Sequence, residues 1–331
     1  MTDPTIPPRS ELLLFALGDS RSFGEAISAK LGVPLAPHEE RDFEDGEHKT
    51  RSLANVRGRD AYVLANLAGD SHQSANDRLC RLLFFIGALR DAAAARVTAV
   101  APYLCYARKD RQTKPRDPIT TRYVAQLFEA VGTDRLITIE AHNLAALQNA
   151  FRCDTDHLVA DQLFAGHFAS LVGEGPVAVL SPDVGGVKRA ERFRERLEAK
   201  LGCPVAKGFM DKKRSMGKVT GDIFAGDVAG HTVIVIDDLI STGTTMARTA
   251  AACRERGAAA VHLVATHGLF YGGAPALVDA PGVTSIVVTD SVNPPRLERQ
   301  GLVVLSVAGL FAEAVARNHA GGSIVELLEQ G

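Results

Sequence analysis

The stretch HTVIVIDDLISTGTTM, residues 231–246, holds the densest chemistry in the chain. A run of apolar and β-branched residues drives into two adjacent carboxylates, Asp237 and Asp238. Ser241, Thr242, Gly243, Thr244 and Thr245 follow, offering little beyond hydroxyls and accessible backbone. In an open α/β sheet, ligands gather at the carboxyl ends of strands, where loops enter helix N-termini. Small residues there allow close approach, and the free amide hydrogens at a helix start attract phosphate. Two carboxylates just upstream suit vicinal sugar hydroxyls, which donate hydrogen bonds. One loop thus joins a phosphate cradle to a diol clamp, the shape a pentose 5-phosphate needs. The plainer alternative is an Asp-capped strand followed by an ordinary Ser/Thr helix cap.

A second constellation is cationic. Arg108, Lys109, Arg111, Lys114 and Arg116 place five cations within nine residues, interrupted by Asp110. Such a run is commonly a solvated loop. Opposite a triphosphate it becomes a clamp, with arginine binding phosphate oxygens in pairs. The chain has no GxxxxGK[ST] loop, so a nucleoside triphosphate needs a differently built site here. His142 follows the apolar run 136–139, and Asp183 follows 177–180. Taken alone, His142 reads as a hydrogen-bonded structural residue and Asp183 as the cap of the turn Asp183-Val184-Gly185-Gly186. MDKKRSMGKVTGD, residues 210–222, is polar and basic with two glycines, and reads as a loop.

These residues need a frame. Short apolar runs at 12–17, 61–65, 97–101, 136–139, 177–180, 233–236, 260–265 and 285–289 alternate with helical stretches at 76–95, 120–131, 189–201 and 245–256. The runs are continuous rather than alternating, as expected for strands covered on both faces. Gly132, Gly202 and Gly257 close three helical stretches in the manner of C-caps. The pattern predicts an α/β fold of mainly parallel sheets flanked by helices. A helical run at 159–172, followed by GEGP, separates two α/β series of similar size. The expected domains are 1–157 and 158–308, with a helix and tail at 309–331 packed on the N-terminal domain.

The 231–246 stretch resembles the phosphoribosyl-pyrophosphate (PRPP) loop of two families, the type I phosphoribosyltransferases and the ribose-phosphate pyrophosphokinases. Six further blocks resemble the second family. DFEDGEHKTRSLANVRGRDAYVL is similar to its FxDGE…VRG-DV segment, APYLCYARKDRQTKPRDPIT to its PYxxYARQDR…R-PI stretch, and LITIEAHN to its ITxDLH strand end. SPDVGGVKRA, MDKKRS and THGLF are similar to SPDxGGxxRA, DKxR and THGxF. The resemblance runs from about residue 15 to the C-terminus. It implies two similar phosphoribosyltransferase-like domains with the active site in the cleft between them.

The resemblance also implies roles. Phe43, Asp45, Glu47, Arg108, Lys109 and His142 would bind ATP, and His142 and Asp183 would meet the magnesium of Mg-ATP. Lys212 and Arg214 would act at the transition state, with Lys213 unassigned. Asp237 and Asp238 would hold the ribose hydroxyls, and Ser241, Thr242, Gly243, Thr244 and Thr245 the 5-phosphate. The implied reaction moves the β,γ-diphosphate of ATP to the C1 hydroxyl of ribose 5-phosphate, giving PRPP and AMP. In the family, the turn matched by residues 43–47 reaches a neighbouring subunit's site, so a homo-oligomer, dimer or hexamer, is expected. Departures are Lys109 for glutamine, Thr113 for an acid, Ser241 for aspartate, Thr244 for glycine, and EAHN at 140–143 for DLHA. They bear on nucleotide preference and regulation. A PRPP-consuming transferase and a non-catalytic regulatory relative are the alternative readings.

Bulk properties bound the rest. A chain of 331 residues suits about two domains. With 37 basic and 39 acidic residues, charge makes no case for nucleic acid or an anionic membrane. Five scattered cysteines without a CxxC pair suit neither a disulfide framework nor a zinc site. That cysteine spacing makes a reducing cytoplasm the expected setting, and MTDPTIPPRS lacks the basic start and apolar core of a signal peptide.

Overall fold

The computed structural model describes residues 11–215, 218–292, 297 and 299–330, with the backbone alone at 212–215, 218–222 and 330. The chain divides into two units. One runs up to Leu158 and takes in Ala308–Gln330; the other is Val159–Val307.

In the first unit, β1 (Leu12–Ala16) and α1 (Arg21–Leu31) precede a hairpin of β2 (His38–Asp42) and β3 (His48–Ser52). Then follow β4 (Asp60–Leu64), α2 (Ala75–Asp91), β5 (Arg96–Val100), α3 (Thr120–Ala130), β6 (Arg135–Ile139), α4 (Leu144–Ala150) and β7 (Asp154–Leu158). Strands β1, β4, β5, β6 and β7 lie side by side in that order, all parallel. Alternate residues of each strand point to opposite faces. On one face Phe15, Val63, Val97 and Leu136 pack with Phe85 and Phe128 of α2 and α3. Burying each such side chain stabilises the fold by about 1.5–3 kcal/mol. A capping box at Ser74 and Asp77 starts α2, satisfying two otherwise unpaired backbone donors.

The second unit contains α5 (Asp161–Ala169), β8 (Val177–Ser181), α6 (Val187–Leu201), β9 (Ala206–Ser215) and β10 (Lys218–Ala225). It continues with β11 (Thr232–Ile240), α7 (Thr244–Glu255), β12 (Ala260–Gly268), α8 (Pro275–Val278), β13 (Ser285–Thr289) and β14 (Leu302–Leu305). The strand order is β10-β9-β8-β11-β12-β13-β14, parallel except for β10 against β9. Ala250 and Cys253 of α7 cover one face. On the other, Phe168 of α5 meets Phe193 of α6 and His262 of β12 edge-on. From β8 the order runs outward to β9 on one side and to β11 on the other. This reversal is the switch point at which open α/β sheets open a crevice.

The chain then returns to the first unit as α9 (Ala308–Ala320) and α10 (Ile324–Gln330). Phe311 meets Phe23 of α1 edge-on at 5.7 Å between centroids. Tyr62 Oη donates to Asn318 Oδ1 at 2.7 Å, and His319 Nδ1 lies 2.7 Å from Asp60 Oδ2. No helix among the described residues is long and apolar enough to cross a membrane.

The α/β architecture expected from the apolar runs is present. Its polar strands are the departures. Residues 210–222 read as a loop, yet the backbone of 210–215 belongs to β9 and that of 218–222 to β10, with Lys212 opposite Asp222 and Met210 opposite Phe224; residues 216 and 217 lie outside the described residues. The cause is docking: β9 adds in parallel to β8, Ala206 opposite Ala178, and backbone pairing needs no apolar side chains. Strand β7, DTDHL, is one of the two edge strands of its sheet. Its acids are neutralised by Arg135 of β6, which lies 2.7 Å from Asp154 Oδ2 and 3.0 Å from Asp156 Oδ2.

Candidate functional site

Asp237 and Asp238 sit near the carboxyl end of β11, beside β8, at the switch point. Their side chains are 19% and 4% exposed. Arg189, from the first turn of α6, places Nη1 3.1 Å from Asp237 Oδ1 and 3.6 Å from Asp238 Oδ1. The Asp238 N–H donates to Asp237 Oδ1 at 2.9 Å. Burial pushes the Asp237 carboxyl well above its ordinary range, the Asp238 carboxylate adds to this, and Arg189 opposes both. Two adjacent carboxylates are groups that can accept hydrogen bonds from hydroxyl donors.

The loop after β8 closes the other side. Asp183 is exposed; its Oδ1 accepts the Gly186 N–H at 3.1 Å, and its carbonyl accepts from Ser181 Oγ at 2.6 Å. Gly186 faces this corner so closely that a Cβ would sit 2.6 Å from Ser181 Oγ and 3.8 Å from Asp237 Oδ1. The turn-capping role of Asp183 is therefore real, and its turn abuts the Asp237 carboxyl.

Beyond β11, Gly243 caps α7 at φ 79°, and the helix begins at Thr244, one residue earlier than expected. Glycine has no side-chain oxygen, and α7 has no side-chain cap, an arrangement that can receive an anion on the first-turn N–H groups. Thr242 and Thr244 are exposed, with their hydroxyls 3.3 Å apart, while Ser241 and Thr245 are half-buried. A Cβ on Gly243 would lie 2.4 Å from Leu277 Cγ. Gly243→Ala thus meets left-handed strain of about 1–2 kcal/mol and overpacking of about 1–3 kcal/mol. We expect a lower thermal midpoint and weaker phosphate binding by calorimetry. In a Leu277→Ala background the loss should shrink, because the clash goes while the φ strain stays; an equal loss in both backgrounds would rule out the packing explanation.

In the first unit, Arg108, Lys109, Arg111, Lys114 and Arg116 are all exposed. The segment that carries them is ordered by its own polar groups. Lys109 N–H donates to the Tyr106 carbonyl at 2.9 Å, and Asp117 Oδ2 accepts from Thr113 Oγ1 at 2.7 Å and Lys114 N at 2.9 Å. His142 is exposed in the loop between β6 and α4. The Ala141 N–H donates to His157 Nε2 at 2.9 Å, and Asn143 Nδ2 donates to Asp110 Oδ2 at 2.7 Å. Phe43, Asp45 and Glu47 form the turn that joins β2 to β3. Phe43 N bonds Glu47 O at 2.9 Å, Glu47 N bonds Asp45 Oδ1 at 3.0 Å, and the Arg41 guanidinium lies 5.0 Å above the Phe43 ring.

The structure therefore groups the Asp183 turn with Asp237, Asp238 and the 241–245 loop, and the His142 loop with the cationic segment. Phe43, Asp45 and Glu47 stand on a hairpin that packs against α2. Lys212 and Arg214 lie on β9, and their side chains are outside the described residues. Backbone strain marks the same loops. Of six described non-glycine residues at positive φ, Arg116 belongs to the cationic segment, Tyr106 and Glu140 lie just before that segment and His142, and Phe270 and Ala274 lead to Leu277. Such strain persists where surrounding structure holds it and clusters at functional sites. Sequence reasoning passed over Arg189 and His157, and noted Asn143 only as a departure from the family motif, without its contact to Asp110. Arg189 lay inside the quoted SPDVGGVKRA block, but Asp237 and Asp238, which it meets, lie 48 and 49 residues further on.

Comparison with known proteins agrees with this architecture. The sequence model of the N-terminal domain of ribose phosphate pyrophosphokinase matches residues 12–132, and that of the phosphoribosyl synthetase-associated domain matches 215–329. The chain is 35% identical over 329 residues to ribose-phosphate pyrophosphokinase 1 of Streptococcus pyogenes serotype M3, covering 97% of this chain and 99% of that one. The ribose-phosphate pyrophosphokinase of Brucella melitensis biotype 1 is 35% identical over 319 residues, 96% and 99% of the two chains. The crystal structure of phosphoribosylpyrophosphate synthetase from Mycobacterium smegmatis superposes with a TM-score of 0.85 at 33% identity, covering 95% of this chain and 100% of that one. With both units matched and the similarity running end to end, this chain belongs to the ribose-phosphate pyrophosphokinase family.

Proposed function

We infer that the protein is a ribose-phosphate diphosphokinase. The C1 oxygen of ribose 5-phosphate attacks the β-phosphorus of ATP, and the bond from that phosphorus to the α,β-bridging oxygen breaks. AMP leaves, the hydroxyl proton is lost, and PRPP forms. The observation that carries this reading is the end-to-end similarity, 35% identity over 97% of the chain, which spans both units. A PRPP-consuming transferase is not favoured by it.

Asp237 and Asp238, held by Arg189, accept hydrogen bonds from the ribose hydroxyls, and the loop from Ser241 to Thr245 receives the 5-phosphate on the N-terminus of α7. Arg108, Lys109 and His142 meet the ATP phosphates. The exposed, cation-backed ring of Phe43, with Asp45 and Glu47, takes the base, and that turn works within a homo-oligomer. Lys212 and Arg214 stabilise the charge of the transferring group.

The donor chemistry fits magnesium. Among the described residues no three His, Cys, Asp or Glu side chains gather around a cation. Single exposed groups such as Asp183 suit an ion that brings phosphate and water ligands with it, as magnesium does. Bound there, magnesium would neutralise phosphate charge.

The test is incubation with ATP and ribose 5-phosphate alone. AMP and PRPP should appear in equal amounts. Failure to release AMP across nucleoside triphosphates and magnesium concentrations would leave the transferase or regulatory reading in place.

A further inference from the structure

His142 sits between two residues that are each tied elsewhere. On one side the Ala141 N–H is held by His157 Nε2 at 2.9 Å. On the other, Asn143 uses both ends of its amide. Its Oδ1 accepts the Ala146 N–H at 3.2 Å, capping α4, and its Nδ2 donates to Asp110 Oδ2 at 2.7 Å. Asp110 is the exception within its segment: its side chain is 3% exposed among exposed cations, with Arg111 Nε 3.4 Å from its Oδ1. A carboxylate buried there anchors the loop rather than meeting phosphate, which it would repel. Tyr106 (φ 61°) and Glu140 (φ 46°) place a left-handed residue in each loop, a conformation uncommon for non-glycine residues that persists where surrounding contacts hold it.

We propose that Asn143 is a positioning residue that locks the His142 loop to the 108–116 cationic segment, so that both address one phosphate chain as a single preorganised surface. The resembling family motif, DLHA, has alanine where this chain has Asn143, and alanine has no donor for Asp110. The tie thus belongs to this chain's own version of the site. Preorganisation of this kind lowers the entropy lost when a multiply charged ligand is bound. The inference rests on the ATP-using reading above.

N143D separates the two jobs of the residue. Aspartate still caps α4, but it sets a second carboxylate against Asp110 in place of a donor. Adding D110N reverses donor and acceptor and restores the bond. Two measurements are needed: amide hydrogen exchange across 103–117 in the ligand-free protein, and initial rates against Mg-ATP. N143D should speed exchange in 108–117 and raise the KM for Mg-ATP about tenfold while kcat stays within about twofold. The N143D/D110N double variant should return both toward wild type. Unchanged exchange in 108–117, or no rescue by D110N, overturns the proposal. Absence of AMP release from the wild type sinks the functional reading instead, and the exchange measurements still judge the tie.

Discussion

Lys212→Ala is expected to lower kcat by about 10²–10³-fold, the usual cost of removing one group that stabilises transition-state charge. In the proposed reaction, charge moves onto the bridging oxygen that leaves with AMP while the two non-bridging oxygens on the β-phosphorus share the rest. By the proposed assignment the Lys212 ammonium answers that charge, whereas the residues proposed to bind ATP all precede Leu158 in the chain. Kcat and kcat/KM should therefore fall together, while the equilibrium affinity for ATP stays within about twofold. Lys213→Ala is the control, since it removes the same charge one residue away and should leave kcat near wild type. Rapid-quench turnover with equilibrium ATP binding makes the measurement. A Lys212→Ala enzyme with near-wild-type turnover, or equal losses at Lys213, would remove Lys212 from the chemistry.

Asp237→Asn should weaken the enzyme and strengthen the fold. Burial and the Asp238 carboxylate raise the Asp237 carboxyl above its ordinary value of 3.8. The folded state then holds a proton more tightly than the unfolded chain. Its contribution is fully present below about pH 4 and is lost as pH rises through the raised folded value. Asparagine removes that titration while its Oδ1 can still accept from Arg189 and from the Asp238 N–H. The variant should melt higher than wild type at pH 8, with the difference fading near pH 4. Each kcal/mol is worth about 2–4 °C for units of this size.

Activity goes the other way. In the proposed diol clamp, sugar hydroxyls donate to the ionised carboxyl, so ribose 5-phosphate affinity should strengthen as pH rises through the raised value. Asp237→Asn should flatten that dependence. Hydrogen bonds to charged groups contribute about 1.5–3 kcal/mol, so kcat/KM for the sugar phosphate should fall about 10–100-fold. Thermal scans and kinetics between pH 4 and 8 test both halves. A variant that melts below wild type at pH 8 contradicts the assigned burial cost, and unchanged kcat/KM contradicts the diol clamp.

The two sites differ in how far they could be read from residues alone. The apolar run into Asp237-Asp238 and the glycine with its hydroxyls are local features, because a buried parallel strand and a helix N-terminus both leave contiguous signatures. The observed β11, the Gly243 cap and α7 lie where that stretch places them. The α/β class was legible for the same reason: doubly covered strands must be continuously apolar. Polar strands were not legible. Strands β2, β3, β7, β9 and β10 hold their place through a neighbour's backbone or a cross-strand arginine, and no window of their own residues records the neighbour.

What the amino-acid order determined by itself was the chemistry on offer: a phosphate cradle beside paired acids, and a block of cations away from any P-loop. What only the tertiary structure decided was which charges constrain one another. Arg189 reaches Asp237 across 48 residues of sequence, and Asn143 reaches Asp110 across 33. Electrostatic coupling and hydrogen bonds depend on distance in space and on the burial around them. Neither is a property of spacing along a chain, so the acids were visible in the sequence and their partners were not.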